Sequence, residues 1–168
     1  MYLLINGLYL LAGFIWGDWR NWRTYYPTIL FYILGDLLYN FLLYNKPMWL
    51  FHDAIIPDHT LITILAMTVS YSATVLIYLG RFPEEWYKRF LWFLLWFVIY
   101  MTIEFVNSKL GFITYHNGWN IWWSAMFTAL IFFILPIHQK KPLFAWALSI
   151  VIIITLLTIF DVKTSNWI

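Results

Sequence analysis

From Leu143 to Phe160 the chain runs eighteen residues without a charge, a glycine or a proline, nearly pure in Ile, Leu, Val and Thr. About 20 apolar residues in a helix cross the roughly 30 Å hydrocarbon core of a bilayer. The stretch therefore reads as a membrane span. Five more runs precede it: Tyr2 to Trp16, Pro27 to Tyr44, Thr60 to Leu79, Phe90 to Asn107 and Asn120 to Ile137. The first is short, and with it left out the count is five. Hydrophobic residues make up 63% of the 168 and charged ones 11%, with a mean hydropathy of +0.73. A soluble domain averages about 45–50% and 25%, and one this small could not hide so much apolar surface. The expected fold is all-α: a polytopic integral membrane bundle of six transmembrane helices, residues 1–168 forming a single domain.

Orientation follows from the basic residues. Arg20, Arg23, Arg81, Lys88, Arg89, Lys140 and Lys141 fall in the connections between spans one and two, three and four, and five and six. Lys46, Lys109 and Lys163 fall on the other side. The positive-inside rule puts the first group in the cytoplasm and both termini outside; without the first span only the N-terminus moves. Clusters such as Trp16, Trp19, Trp22, Tyr25 and Tyr26, or Trp119, Trp122 and Trp123, mark the interfaces. The first run has no basic stretch before it and no small-residue cleavage site after it, so it reads as retained.

Several functions are set aside. A net charge of +2, thinly spread, is no nucleic-acid footprint. With no Cys there are no disulfides, thiolate metal sites or thiol catalysis. No Lys lies inside a span, so a retinal Schiff base is implausible, and neither a phosphate-cradling glycine loop nor G-x-S-x-G is present. No motif identifies a cofactor.

Two acids lie inside spans, where an ionisable group costs about 2.5–3.5 kcal/mol and so faces protein or water. Asp36 is in the middle of span two, with Tyr32 and Asn40 one turn to either side. Glu104 is in span four, on a stripe with Trp96, Tyr100 and Ser108, and with Asn107 beside it. Measured from Phe90, Glu104 stands about 21 Å up a core about 30 Å thick. The outer loops add His52, Asp53, Asp58, His59, His116 and Asn117. His52, His59 and His116 could hold a divalent ion with carboxylates, or move protons, although the spacing matches no metal motif. Asp58 or His59 also suits an N-cap of span three. A contact between Glu104 and one of these histidines, direct or through water or an ion, is expected. Its competitor is a tie from Glu104 to Tyr, Trp or Ser of neighbouring helices. Hydroxyl stripes on span three (Thr60, Thr63, Met67, Ser70 or Tyr71, and Thr74) and span five (Asn120, Ser124, Thr128) suit close helix packing. His138 falls at the inner interface.

The segment Phe90-Leu91-Trp92-Phe93 to Thr102-Ile103-Glu104-Phe105-Val106, then Gly111-Phe112-Ile113-Thr114-Tyr115-His116-Asn117-Gly118-Trp119-Asn120-Ile121-Trp122-Trp123, resembles a family of small, poorly characterised multi-span membrane proteins of Gram-positive, often spore-forming, bacteria. The resemblance covers spans three to five. It implies a bacterial plasma membrane, an acidic role for Glu104, and landmark roles for Tyr115, Trp119 and Trp123. It implies no activity.

The leading expectation is an outward-facing polar pocket of Asp36, Asn40, Glu104, Asn107, His52, Asp53, His59 and His116, binding or transporting a proton, cation or small solute. One alternative is a membrane-embedded enzyme using Glu104 or Asp36 as general acid on a lipid-like substrate. Another is a structural or partner subunit. A transporter should line a path open from either side with acids, an enzyme should show a lipid-facing cleft ending at the acid, and a scaffold should close each acid off with local hydrogen bonds. The partners implied are the lipid bilayer and a small solute or ion.

Overall fold

The computed structural model describes residues 2–52 and 59–163, with 165 and 167, and excludes the side chain of His59. Six helices dominate it. They are α1 (Tyr2–Trp16), α2 (Trp22–Leu42), α3 in three continuous stretches (His59–Leu65, a π-helical Ala66–Tyr71, Ser72–Tyr78), α4 (Trp86–Lys109), α5 (Ile121–Lys140) and α6 (Pro142–Ile159). Four of them, α3 to α6, are long and apolar enough to cross a membrane. At 1.5 Å per residue, the fifteen residues of α1 span about 22 Å and the twenty-one of α2 about 31 Å. Length is therefore what α1 lacks. What dilutes α2 is its polar content, Arg23, Asp36 and Asn40.

Two features depart from the sequence expectation. Pro27 does not open α2 but lies inside it, because the chain already turns at Trp19–Asn21 and the helix starts at Trp22. The outer loops are not irregular throughout. Strands β1 (Trp49–Phe51) and β2 (Ile113–Tyr115) pair antiparallel, Trp49 opposite Tyr115 and Phe51 opposite Ile113. Asn120, placed by sequence at the start of span five, caps α5: its Oδ1 accepts from the backbone N–H groups of Trp122 and Trp123. Gly111 closes α4 with φ +76°, which lets Phe112 N–H reach back to the Asn107 carbonyl at 2.8 Å.

Successive helices run in opposite directions, so each end of the bundle is built from alternate loops. At the sheet end, the Tyr2 hydroxyl donates to the Phe112 carbonyl, and Lys46 Nζ donates to the carbonyls of Phe160 and Asp161. At the other end, Asp18 N–H donates to the Leu76 carbonyl and Arg81 Nε to that of Trp16. There Asp18 also accepts from Asn21 Nδ2 and the Tyr25 hydroxyl. The Asn21 bond leads in holding its carboxyl below the usual carboxylate range. That tie is present at neutral pH and weakens as pH falls below about 4.

The core sits where α3, α4 and α5 meet. Phe132 is fully buried against Tyr78, Trp96 and Tyr100, with ring centroids 4.9–5.9 Å apart. Pro136 has no N–H to give the Phe132 carbonyl four residues back. The Tyr78 hydroxyl takes that place, donating to the carbonyl at 3.0 Å. α1 approaches α3 closely through small residues: a Cβ added to Gly13 would stand 2.8 Å from the Ala73 Cβ. The outward faces of α4 and α6 expose Leu91, Leu95, Leu143, Phe144, Ile150, Val151 and Ile154, as a surface meant for lipid does.

Candidate functional site

A cavity of about 300 Å³ lies inside the bundle, in the half next to the sheet. Its walls are mostly apolar, and every helix contributes to them. The polar exceptions are Tyr2, Asn6 and Tyr9 of α1, Tyr32, Asp36 and Tyr39 of α2, Ser70 and Tyr71 of α3, Tyr100, Glu104 and Asn107 of α4, Ser124 and Thr128 of α5, and Ser149 of α6. The acids of α2 and α4, sixty-eight positions apart in the chain, thus open into one space. No Lys or Arg is among the described residues that line it.

The π-helical stretch explains how α3 reaches this wall. An i→i+5 turn inserts one residue and rotates the part of the helix beyond it. It presents two consecutive polar residues, Ser70 and Tyr71. Ser70 Oγ donates to Asn6 Oδ1 at 3.0 Å, and the Tyr71 ring stacks on Tyr32 with centroids 4.1 Å apart. The Tyr100 hydroxyl meets Thr74 Oγ1 at 2.6 Å, and its ring stands edge-on to Tyr9 at 6.1 Å. Hydroxyls thus tie α3 to α1 and to α4 at this level.

The two acids differ in how they are satisfied. Glu104 Oε1 accepts from the Tyr115 hydroxyl at 2.8 Å. Ser124, which shares the cavity wall, accepts from Trp119 Nε1 at 2.8 Å. Tyr115 belongs to β2, so Glu104 ties α4 to the sheet. Asp36 shares the cavity wall with Tyr71, but its Oδ2 is sealed from solvent with no partner. Asn107 is likewise half satisfied: Nδ2 donates to the Ile103 carbonyl, while Oδ1 is buried without a partner. Such orphans cost about 1–3 kcal/mol each. Asn40, on the same stripe as Asp36, bonds its backbone carbonyl rather than its carboxyl.

The histidines lie elsewhere. His52 Nε2 and His116 Nε2 each meet Thr114 Oγ1 at 2.9 Å, at the exposed edge of the sheet. Neither contacts Glu104, whose partner is the Tyr115 hydroxyl. Asp53 and the side chain of His59 fall outside the described residues, as does Asp58. Among the described residues no group of three or more His, Asp and Glu is placed to hold a metal ion. His138 is a helix tie at the opposite end. The single hydroxyl hydrogen of Thr28 goes to Gln139 Oε1, so His138 Nδ1–H donates to Thr28 Oγ1. The ring stacks on Phe31 at 4.1 Å.

Sequence reasoning missed Tyr39, which covers the cavity. Its ring stacks on Trp49 at 3.9 Å, and its hydroxyl accepts from Met48 N–H at 3.0 Å and Trp49 N–H at 3.1 Å. Trp49, Phe51 and Ile113 of the sheet form the roof. The side wall is less complete. α2 packs on α3 and α5, while α6 leans on α5 and meets α2 at the Phe31–Trp146 ring pair, 4.8 Å apart. Gly35 and Leu38 on one side, with Ser149, Ile152 and Ile153 on the other, line the cavity beyond that pair. Gly35 is exposed, and a Cβ there would meet nothing within 4 Å. The cavity is therefore not closed between α2 and α6, one residue from Asp36.

Compared with models of known protein families, with curated proteins and with solved structures, the chain matches none.

Proposed function

We propose that this protein crosses a bacterial plasma membrane with all six helices, both termini outside, and that its cavity binds a small amphiphile carrying an amine. One observation carries the binding reading: Asp36 Oδ2 is buried and unpartnered in a cavity that also holds Glu104 and, among its described lining, no basic residue. An ammonium supplies three donors and the opposite charge. The apolar walls suit a short hydrocarbon tail, and about 300 Å³ is the lower end of ligand-pocket volumes. The gap beside Gly35 provides a lipid-facing way in, which a solute path open from both aqueous sides would not need. Glu104 on its own supports a second reading, a structural tie, since the Tyr115 hydroxyl already bonds it.

Calorimetric titration of the purified protein with n-octylamine should saturate, and Asp36→Asn should weaken binding by about tenfold or more, the equivalent of one charged hydrogen bond. Equal binding of n-octanol, or an Asp36→Asn variant that binds like the parent, would refute the site. Orientation is tested separately. A cysteine at position 140, in a chain that has none of its own, should resist an impermeant thiol reagent in intact cells; labelling there reverses the topology.

A further inference from the structure

A second cavity, about 720 Å³, opens at the other end of the bundle between α4, α5 and α6. Its floor is aromatic, with Phe93, Phe133 and Phe144, the last two exposed. Its rim holds Arg89, Lys140 and Lys141. The Arg89 Nε donates to the Pro83 carbonyl and its guanidinium lies 5.8 Å over the Phe82 ring, Arg89 and Phe82 both lining the same groove. Among the described residues, the ion pairs found are Lys88 with Glu85 and Lys163 with Asp161, so none of the three rim cations is neutralised. The groove is thus basic at the rim, greasy below, and continuous with the outward apolar faces of α4 and α6.

We infer that this groove holds one anionic phospholipid, its phosphate between Arg89, Lys140 and Lys141 and an acyl chain along Phe93, Phe133 and Phe144. Three cations converge where a headgroup would sit, and basic pockets between spanning helices recognise anionic headgroups in this way. A free anion would use the rim but leave the aromatic floor bare. The short connection at Lys141 fixes the geometry: Lys140 ends α5 and Pro142 begins α6, so the two lysines cannot drift apart. This inference is independent of the amine site at the opposite end.

The test uses the full chain in a neutral detergent, with native mass spectrometry to count retained lipid and thermal unfolding as a second readout. Added phosphatidylglycerol should be retained one per chain and raise the unfolding midpoint. Phosphatidylcholine should be retained at least about tenfold less, and sodium phosphate should leave the midpoint unchanged. Lys140→Gln with Lys141→Gln, both exposed, should weaken phosphatidylglycerol retention by about tenfold or more. Arg20→Gln with Arg23→Gln, at the same end but not lining the groove, should not. Equal retention of phosphatidylcholine, equal stabilisation by phosphate, or equal loss in both variant pairs would each overturn the assignment, the last by reducing it to general surface charge.

Discussion

Phe132→Ala should lower the stability of the purified protein by about 3 kcal/mol, read as a large drop in unfolding midpoint in detergent. The ring is fully buried and touches Tyr78, Trp96 and Tyr100, which come from α3 and α4. In lipid, transfer from water is no longer the driving term, and helices associate by packing. The cavity term survives that change of solvent, because the lost dispersion contacts are the same. Phe132→Leu, which refills most of the space, should cost about 1 kcal/mol. A loss of under about 1 kcal/mol for the alanine would mean that the aromatic box does not hold α3, α4 and α5 together.

Tyr39→Phe should cost about 2–4 kcal/mol, an effect out of proportion to the one atom removed. That oxygen accepts from two consecutive backbone N–H groups, those of Met48 and Trp49. Met48 is 2% exposed, so its amide has no ready access to water when the acceptor goes. Two stranded donors at about 1–3 kcal/mol each set the scale. The stacking of ring on ring is retained in Phe, so the loss reports the hydroxyl alone. Hydrogen exchange should localise it: residues 48–51 should lose protection while the α3–α5 core keeps it. Uniform loss across the chain, or none, would show that Tyr39 does not fasten the roof.

The helices were legible because lipid demands long apolar runs, and their ends because Trp, Tyr, Lys and Arg collect there. Pro27 misled for a physical reason: proline is at home in a helix's first turn, yet here it lies inside the helix, where it has no N–H to give the Arg23 carbonyl four residues back. The strands left no trace. Trp49-Leu50-Phe51 and Ile113-Thr114-Tyr115 are three residues each, too short for alternation to register. Asp36 and Glu104 could be flagged one by one from the cost of carboxyls in lipid, but nothing in the order of residues says that two helices turn them into one space. For His52 and His116 the expected contact with Glu104 failed on register, while the side chain of His59 lies outside the described residues. Tyr115 and His116 are adjacent in or beside a strand, so they point to opposite faces. The one facing the bundle is Tyr115, which leaves His116 at the outer edge with His52.

The π-helical stretch Ala66–Tyr71 gives α3 a reading frame, in the way a codon insertion does. Deleting any one of its six residues would let the helix return to 3.6 residues per turn, and everything before the cut would swing by about 100° relative to everything after it. Ile62, completely buried against Tyr2 and Ile113 beneath the sheet, would be carried off its seat while Thr74 and Tyr78 kept theirs. Through residues 66–71 the spacing is therefore counted rather than merely composed. An alignment that scores hydrophobicity alone would slide a gap through that stretch at no penalty, and would misplace one of the two walls that meet at Asp36.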